Sequence, residues 1–303
     1  MPKLVAITGA TGFIGKVILH KLIEDNWTVR ALTRLPRENS DSIQWIHGDL
    51  DNFIALRELV RNADAVIHCA GLVRGSVFDE FVHTNTQGTA HLLHAITEQK
   101  LNPRFLLVSS LAARQPELSW YAKSKYMAEQ IIMNCPSDMA WAVFRPTAVY
   151  GPGDKELKPL FQAMRRGILP VIGKPTNRFG LLHVDDFATA IQHWLATKIP
   201  VKGVFELDDG TAGGYSYQIL TSIAQEIWGR PVHCITLPIS FIKLIAVSNL
   251  WLARLFHYAP MLTPGKVKEL QHKDWVCDIT PLTQALPGWR PCVRLHDSLS
   301  QII

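Results

Sequence analysis

Short apolar runs alternate with longer amphipathic ones through the first half of this 303-residue chain. LVAIT (4–8), TVRALT (28–33), QWIHG (44–48), AVIHCA (65–70), RFLLVSS (104–110) and WAVFRP (141–146) read as strands. Between them GKVILHKLIEDN (15–26), FIALRELVRNA (53–63), TNTQGTAHLLHAITEQK (84–100) and YAKSKYMAEQIIMN (121–134) carry helical periodicity. The strands are almost wholly apolar, as strands covered on both faces must be. Strand–helix alternation of this length predicts α/β architecture, a Rossmann-type doubly wound parallel sheet. The rhythm breaks at YGPGDKELKP (150–159), and a smaller lobe over the carboxyl ends of the strands is expected from there. VFEL (204–207) reads as a return to the first sheet. The lobes therefore interleave: 1–150 with about 181–212 in one, 151–180 and 213–303 in the other.

Length favours two lobes over a single core. Hydrophobic content of 48% with 19% charge is that of an ordinary globular protein, so no part is read as disordered. The net charge of +5 is spread along the chain, without the basic stripe that nucleic-acid binding requires. Five scattered cysteines give neither a disulfide framework nor a metal-ligand spacing. His91 and His94 share a helix face but lack a third ligand, so no metal is expected. The chain opens into a strand with no leader pattern, and a reducing cytoplasm is the expected compartment. LPISFIKLIAVSNLWLARLF (237–256) is long and apolar but is interrupted by Lys243, Asn249 and Arg254, which makes a membrane span costly. It is expected to line a pocket, with contact to a membrane surface as the alternative.

The chemistry begins at ITGATGFIGK (7–16), where Gly9, Gly12 and Gly15 lie between the first strand and the first helix. Gly9 suits a tight turn, Gly12 lets backbone N–H groups approach a pyrophosphate, and Gly15 lets the helix lie close to the strand. Thr11, Phe13 and Ile14 complete this candidate dinucleotide loop. An NAD site usually carries an acid at the end of the second strand, whereas an NADP site uses a nearby Arg. TVRALT is followed by Arg34, with Arg37 close behind, and no carboxylate stands there. A guanidinium matches a 2′-phosphate, so NADP is expected, with NAD as the alternative.

SWYAKSKYMAEQ (119–130) places Tyr121 and Lys125 one helical turn apart on one face. A neighbouring ammonium is expected to lower the phenol's pKa and fit it for proton exchange with a hydroxyl or carbonyl. Ser110, at the end of RFLLVSS, is placed to hold the substrate oxygen.

With these residues in context, the sequence resembles the extended short-chain dehydrogenases/reductases, a group that includes NAD-dependent epimerases and dehydratases. The resemblance runs through TGATGFIG, GDL (48–50), HCAG (68–71), NTQGT (85–89), VSS (108–110), YAKSK (121–125), RPTAVYGPGD (145–154) and HVDD (183–186). It implies that Ser110, Tyr121 and Lys125 are catalytic, with Ser109 as the neighbouring alternative to Ser110. It also implies that Asp49 and Leu50 flank the adenine and that Cys69, Ala70 and Gly71 pass beside the cofactor. Asn85 would brace the active-site helix and Pro146 would sit near the carboxamide, with Tyr121 and Lys125 also touching the cofactor. Read without the resemblance, Asp49 and Asn85 are helix caps, Pro146 ends a strand, and His183 with Asp185 and Asp186 opens a helix.

Within that family, LAA after Ser110 lacks the acidic pair of the dehydratases. Arg178 stands one position before the place where epimerases grip a diphosphate. The tail resembles the 3β-hydroxysteroid dehydrogenase-like and dihydroflavonol reductase-like branches. The expected activity is therefore hydride transfer between NADP and a small-molecule secondary alcohol or ketone, with an apolar one favoured by the apolar, Trp-rich tail. A nucleotide-sugar epimerase is the alternative, and a non-catalytic NADP-binding scaffold or redox sensor is the alternative from another class. Members of the family often pair as homodimers.

Overall fold

The structure is a computed structural model describing residues 3–100, 102–135 and 139–302. β1 (Leu4–Thr8) leads into α1 (Phe13–Glu24), then β2 (Thr28–Thr33), β3 (Ile43–His47), α2 (Phe53–Val60) and β4 (Ala65–His68). The single turn α3 (Phe78–Phe81), α4 (Gly88–Glu98), β5 (Arg104–Val108), α5 (Trp120–Met133), β6 (Trp141–Pro146) and β7 (Ala148–Tyr150) follow. Next come α6 (Lys158–Arg165), β8 (Ile168–Val171), β9 (Arg178–Phe179), β10 (Leu181–His183), α7 (Val184–Ala196) and β11 (Gly203–Leu207). The remainder is β12 (Tyr215–Ser216), α8 (Tyr217–Trp228), β13 (His233–Thr236), α9 (Ile239–Phe256), α10 (Pro264–Gln271), β14 (Asp274–Trp275), α11 (Thr280–Ala285) and α12 (Leu295–Ile302).

Seven strands form one sheet in the order β11-β6-β5-β4-β1-β2-β3, with every neighbouring pair parallel. Chain direction across the sheet reverses between β1 and β4, which opens a ligand crevice beyond their carboxyl ends. One face is covered by α1 and α7 through Ile18, Leu22, Phe187, Ile191 and Trp194. The other is covered by α2, α4 and α5 through Leu56, Leu59, Leu92, Ile96, Ala128 and Ile132.

The smaller lobe has its own core, in which Phe161, Leu169, Leu220 and Leu299 meet. The expected boundary at 213 needs a correction. Leu282, Leu286 and Trp289 join the large core beside α7, and Trp289 Nε1 donates to the Asp186 carbonyl at 3.0 Å. The Asp186 carboxylate also accepts from Cys292 N and Val293 N, at 3.0 and 2.8 Å. An apolar pattern identifies residues that must be buried, but not which of two cores takes them.

Candidate active site

The loop after β1 divides its three glycines by role. Gly9 has φ +74°, and a Cβ there would lie 2.5 Å from Ala70 N at the end of β4. A Cβ on Gly15 would meet the Gly9 carbonyl oxygen at 2.0 Å, so α1 can approach the loop only without a side chain. Gly12 is different: its Cβ would find only the Gly9 oxygen, at 3.3 Å, and it faces a cavity of about 1470 Å³. No side chain caps α1, so its first N–H groups are left for an anion.

That cavity exceeds the roughly 300–1,000 Å³ of an ordinary small-molecule site. It takes in Gly9, Thr11, Gly12, Phe13, Ile14, Gly15, Cys69, Gly71, Ser110, Tyr121, Lys125 and Pro146. Arg34, Asp49, Leu50 and Ala70 do not line it. Asp49 is exposed, its Oδ1 accepting from Asp51 N and Asn52 N, and Asn52 is the actual cap of α2. Leu50 packs on α4 at Gly88. Thr33 is buried with its hydroxyl turned back to the Leu35 carbonyl, so Arg34 is the first exposed side chain after β2. Arg37 lies over the Trp45 ring, 5.0 Å from its centroid.

Two serines adjoin at the end of β5, and the fold separates them. Ser109 is buried and donates to Glu129 Oε1 at 2.5 Å, whereas Ser110 lines the cavity and hydrogen-bonds Tyr121. Lys125 Nζ donates to the Val108 carbonyl at 3.0 Å and lies beside Gly71, where an added Cβ would stand 2.9 Å from it. The expected lowering of the Tyr121 pKa is not found. Burial pushes the phenol up to about 12, Glu269 and Glu156 push the same way, and the Ser110 hydrogen bond opposes them. Burial also drives Lys125 down. Desolvation of the phenolate outweighs any attraction from this ammonium. The Cys69 thiol, likewise pushed up to about 11 by burial, is no nucleophile at neutral pH.

Asn85, expected to brace the active-site helix, sits in a π-helical turn, Val82–Gln87, between α3 and α4. Its amide donates to Ser124 Oγ of α5 at 2.8 Å and to the Leu72 carbonyl at 3.0 Å, while its oxygen accepts from Leu72 N at 2.7 Å. His68, held neutral by burial, connects this brace to the glycine loop through Thr8 and Thr89, at 2.7 and 3.1 Å. Thr89 spends its proton on the Asn85 carbonyl, which fixes the His68 proton on Nε2. Buried Glu129 receives Arg145 Nε at 2.9 Å and ties α5 to β6. From the smaller lobe, Glu269 accepts from Ser119, whose side chain caps α5. The signal for Ser124 and Glu129 was their place on α5, three and eight residues after Tyr121; nothing marked Glu269.

Other expected features take structural parts. His183 caps α7, its Nδ1 accepting from Asp185 N at 3.3 Å. His91 bonds the Leu50 carbonyl and His94 packs on Phe53, and among the described residues no three side chains converge as metal ligands. Arg178 pairs with Asp274, Arg74 with Glu156 at 2.7 Å, and Lys266 with Glu269 at 3.0 Å. The part of the cavity beyond Tyr121 is walled by Val73, Leu118, Trp120, Leu160, Ile172 and Leu262. Contrary to expectation, segment 237–256 contributes only Leu250 to the cavity.

The residues fit a dinucleotide. The cradle at Gly12 is vacant of side chains, and the buried Thr147 Oγ1, beside Pro146 in the cavity wall, has no hydrogen-bond partner among the described residues.

Comparison with known proteins agrees with this geometry. The sequence model of the NAD dependent epimerase/dehydratase family matches residues 5–207. The chain is 35% identical to a ceramide reductase of Caulobacter vibrioides, over 94% of its own length and 89% of the relative's. It is 26% identical to a UDP-glucose 4-epimerase of Vibrio cholerae, over 99% and 94%. Among solved structures, a Bacillus cereus UDP-glucuronic acid 4-epimerase bound to UDP-glucuronic acid and NAD superimposes with a TM-score of 0.75. That match covers 99% of this chain and 97% of the other at 22% identity, a likeness of fold.

Proposed function

Because the chain belongs to the NAD-dependent epimerase/dehydratase family and is an enzyme of its redox chemistry, we propose that it is an NADP-dependent reductase of a ketone carried on a long-chain lipid. The observation that carries this reading is the Ser110–Tyr121 pair, which opens on a chamber with mostly apolar walls; of its cations, Arg74, Arg178 and Lys266 are paired with carboxylates, whereas Lys123, Lys155 and Lys268 are not, among the described residues. An acyl chain needs apolar wall, which the chamber offers over most of its surface. The ceramide reductase relative supports the same substrate class.

The nicotinamide of a bound cofactor would supply the hydride. Tyr121, neutral at physiological pH, donates its phenolic proton to the carbonyl oxygen, and Ser110 holds that oxygen by hydrogen bond. Lys125 keeps the end of β5 fixed through Val108 and has two further N–H donors for the cofactor's ribose. The N-terminus of α1 would hold the pyrophosphate.

The test is NADPH consumption by the purified chain with long-chain ketones, set against UDP-glucose. Long-chain ketones should be reduced and UDP-glucose should neither turn over nor compete. Interconversion of UDP-glucose without net cofactor change would establish instead the epimerase reading that the Vibrio relative favours.

Cofactor choice follows from Arg34. Its planar fork matches the 2′-phosphate, and a charged hydrogen bond is worth about 1.5–3 kcal/mol. NADP should bind at least about tenfold more tightly than NAD, and Arg34→Ala should remove most of that margin. Equilibrium titration of both proteins with both cofactors measures it, and equal affinities in the wild type would refute the assignment.

A further inference from the structure

α9 is fastened to the protein along one narrow stripe. Ile242, Ala246 and Ala253 are buried, and the first two pack with Val267 of α10. The opposite face is apolar too, yet it lies open: Phe241, Leu244, Trp251, Leu255 and Phe256 follow one another at helical spacing, Trp251 at 64% and Phe256 at 67% exposure. A helix against water normally turns a polar face outward, and an uncovered apolar surface of this kind marks an interaction site.

Two observations identify what covers it. The first is charge. Lys243 and Arg254, about three turns apart, run along the same border of the apolar face, and exposed Lys268 lies on neighbouring α10. Cations that edge an apolar helical face suit anionic headgroups, with their stems lying along the acyl boundary. The second is continuity with the cavity. Exposed Val73 and Met261 line its wall, as does Leu250 of α9 itself. Arg254 Nε donates to the Ser76 carbonyl at 3.1 Å, and its guanidinium lies 5.9 Å from the centroid of Trp120, the cavity residue preceding Tyr121.

At 18 residues α9 is long and apolar enough to cross a membrane. The stripe packed on α10 holds it against the protein instead, and a span would also draw Lys243 into hydrocarbon.

We propose that α9 is an interfacial anchor. The enzyme docks on an anionic lipid bilayer with α9 lying in the surface plane, so that the cavity opens towards the lipid and receives its substrate without passage through water. The lipid-ketone reading explains why the mouth faces a bilayer. Vesicle binding is measured without substrate, so either proposal can fail alone.

The experiment is flotation of the full chain with vesicles of phosphatidylethanolamine and phosphatidylglycerol, with pure phosphatidylcholine as comparison. The wild type should float with the anionic vesicles and bind phosphatidylcholine less. Leu244→Glu/Trp251→Glu/Leu255→Glu alters only solvent-facing positions outside the cavity, so it should bind vesicles at least about tenfold more weakly with NADP affinity unchanged. Lys243→Glu should weaken binding to the anionic vesicles roughly tenfold. The proposal is overturned if the wild type stays in the aqueous layer, or if the triple variant with intact NADP affinity floats equally well. It is overturned too if the wild type ignores vesicles but forms a dimer that the triple variant breaks, because a second copy would then cover α9.

Discussion

Replacing Tyr121 by Phe is expected to lower turnover by about 10²- to 10⁴-fold, the usual contribution of a positioned general acid or base. The ring keeps its packing and only the proton is lost, so NADP affinity should change little. Steady-state turnover on a ketone substrate, paired with a cofactor titration, separates the two effects. The pH profile adds a sign. With the phenol pushed up to about 12 by burial, the donating form is fully populated at neutral pH. Carbonyl reduction should be flat from about pH 6 to 9 and fall only as Tyr121 loses its proton. Alcohol oxidation needs the phenolate and should rise with pH over that range. Glu269 is one of the carboxylates pushing the phenol up, so Glu269→Gln should move the alkaline fall to lower pH. Near-normal turnover in Tyr121→Phe would remove this residue from the chemistry.

Gly12→Val should abolish tight cofactor binding, by about a hundredfold or more, while the protein stays folded. The backbone at Gly12 is ordinary, with φ −77° and ψ 174°, and a Cβ there meets only the Gly9 oxygen. Its branches would instead occupy the space above the first N–H groups of α1. Losing even one charged hydrogen bond to the pyrophosphate costs about 1.5–3 kcal/mol, or roughly 10- to 150-fold. Gly15→Ala is the contrasting variant. Its Cβ would run into the Gly9 carbonyl, so it should lower the melting temperature as well. Calorimetry with a cofactor titration distinguishes the two, and an unchanged affinity in folded Gly12→Val would place the pyrophosphate elsewhere.

The sequence by itself determined the sheet. Continuous apolar strands and helical periodicity place β1 to β6 and their helices, because burial on both faces leaves a signature at every position. It also marked the glycine loop, Ser110, Tyr121 and Lys125, since each depends on local spacing: a turn, a strand end, one turn of a helix. Tertiary structure decided what depends on distant partners. Ser109 and Ser110 are alike in sequence; Glu129, twenty residues on, takes one and leaves the other to Tyr121. The direction of the Tyr121 shift was misread because an adjacent Lys is visible in a motif, whereas burial and Glu269 are not. The same limit governs α9. Its apolar pattern is plain, but a helix apolar on both sides does not say which side meets the protein. Only packing against Val267 leaves Trp251 and Phe256 facing outward. Periodicity is a property of the segment, while burial is a property of everything folded around it.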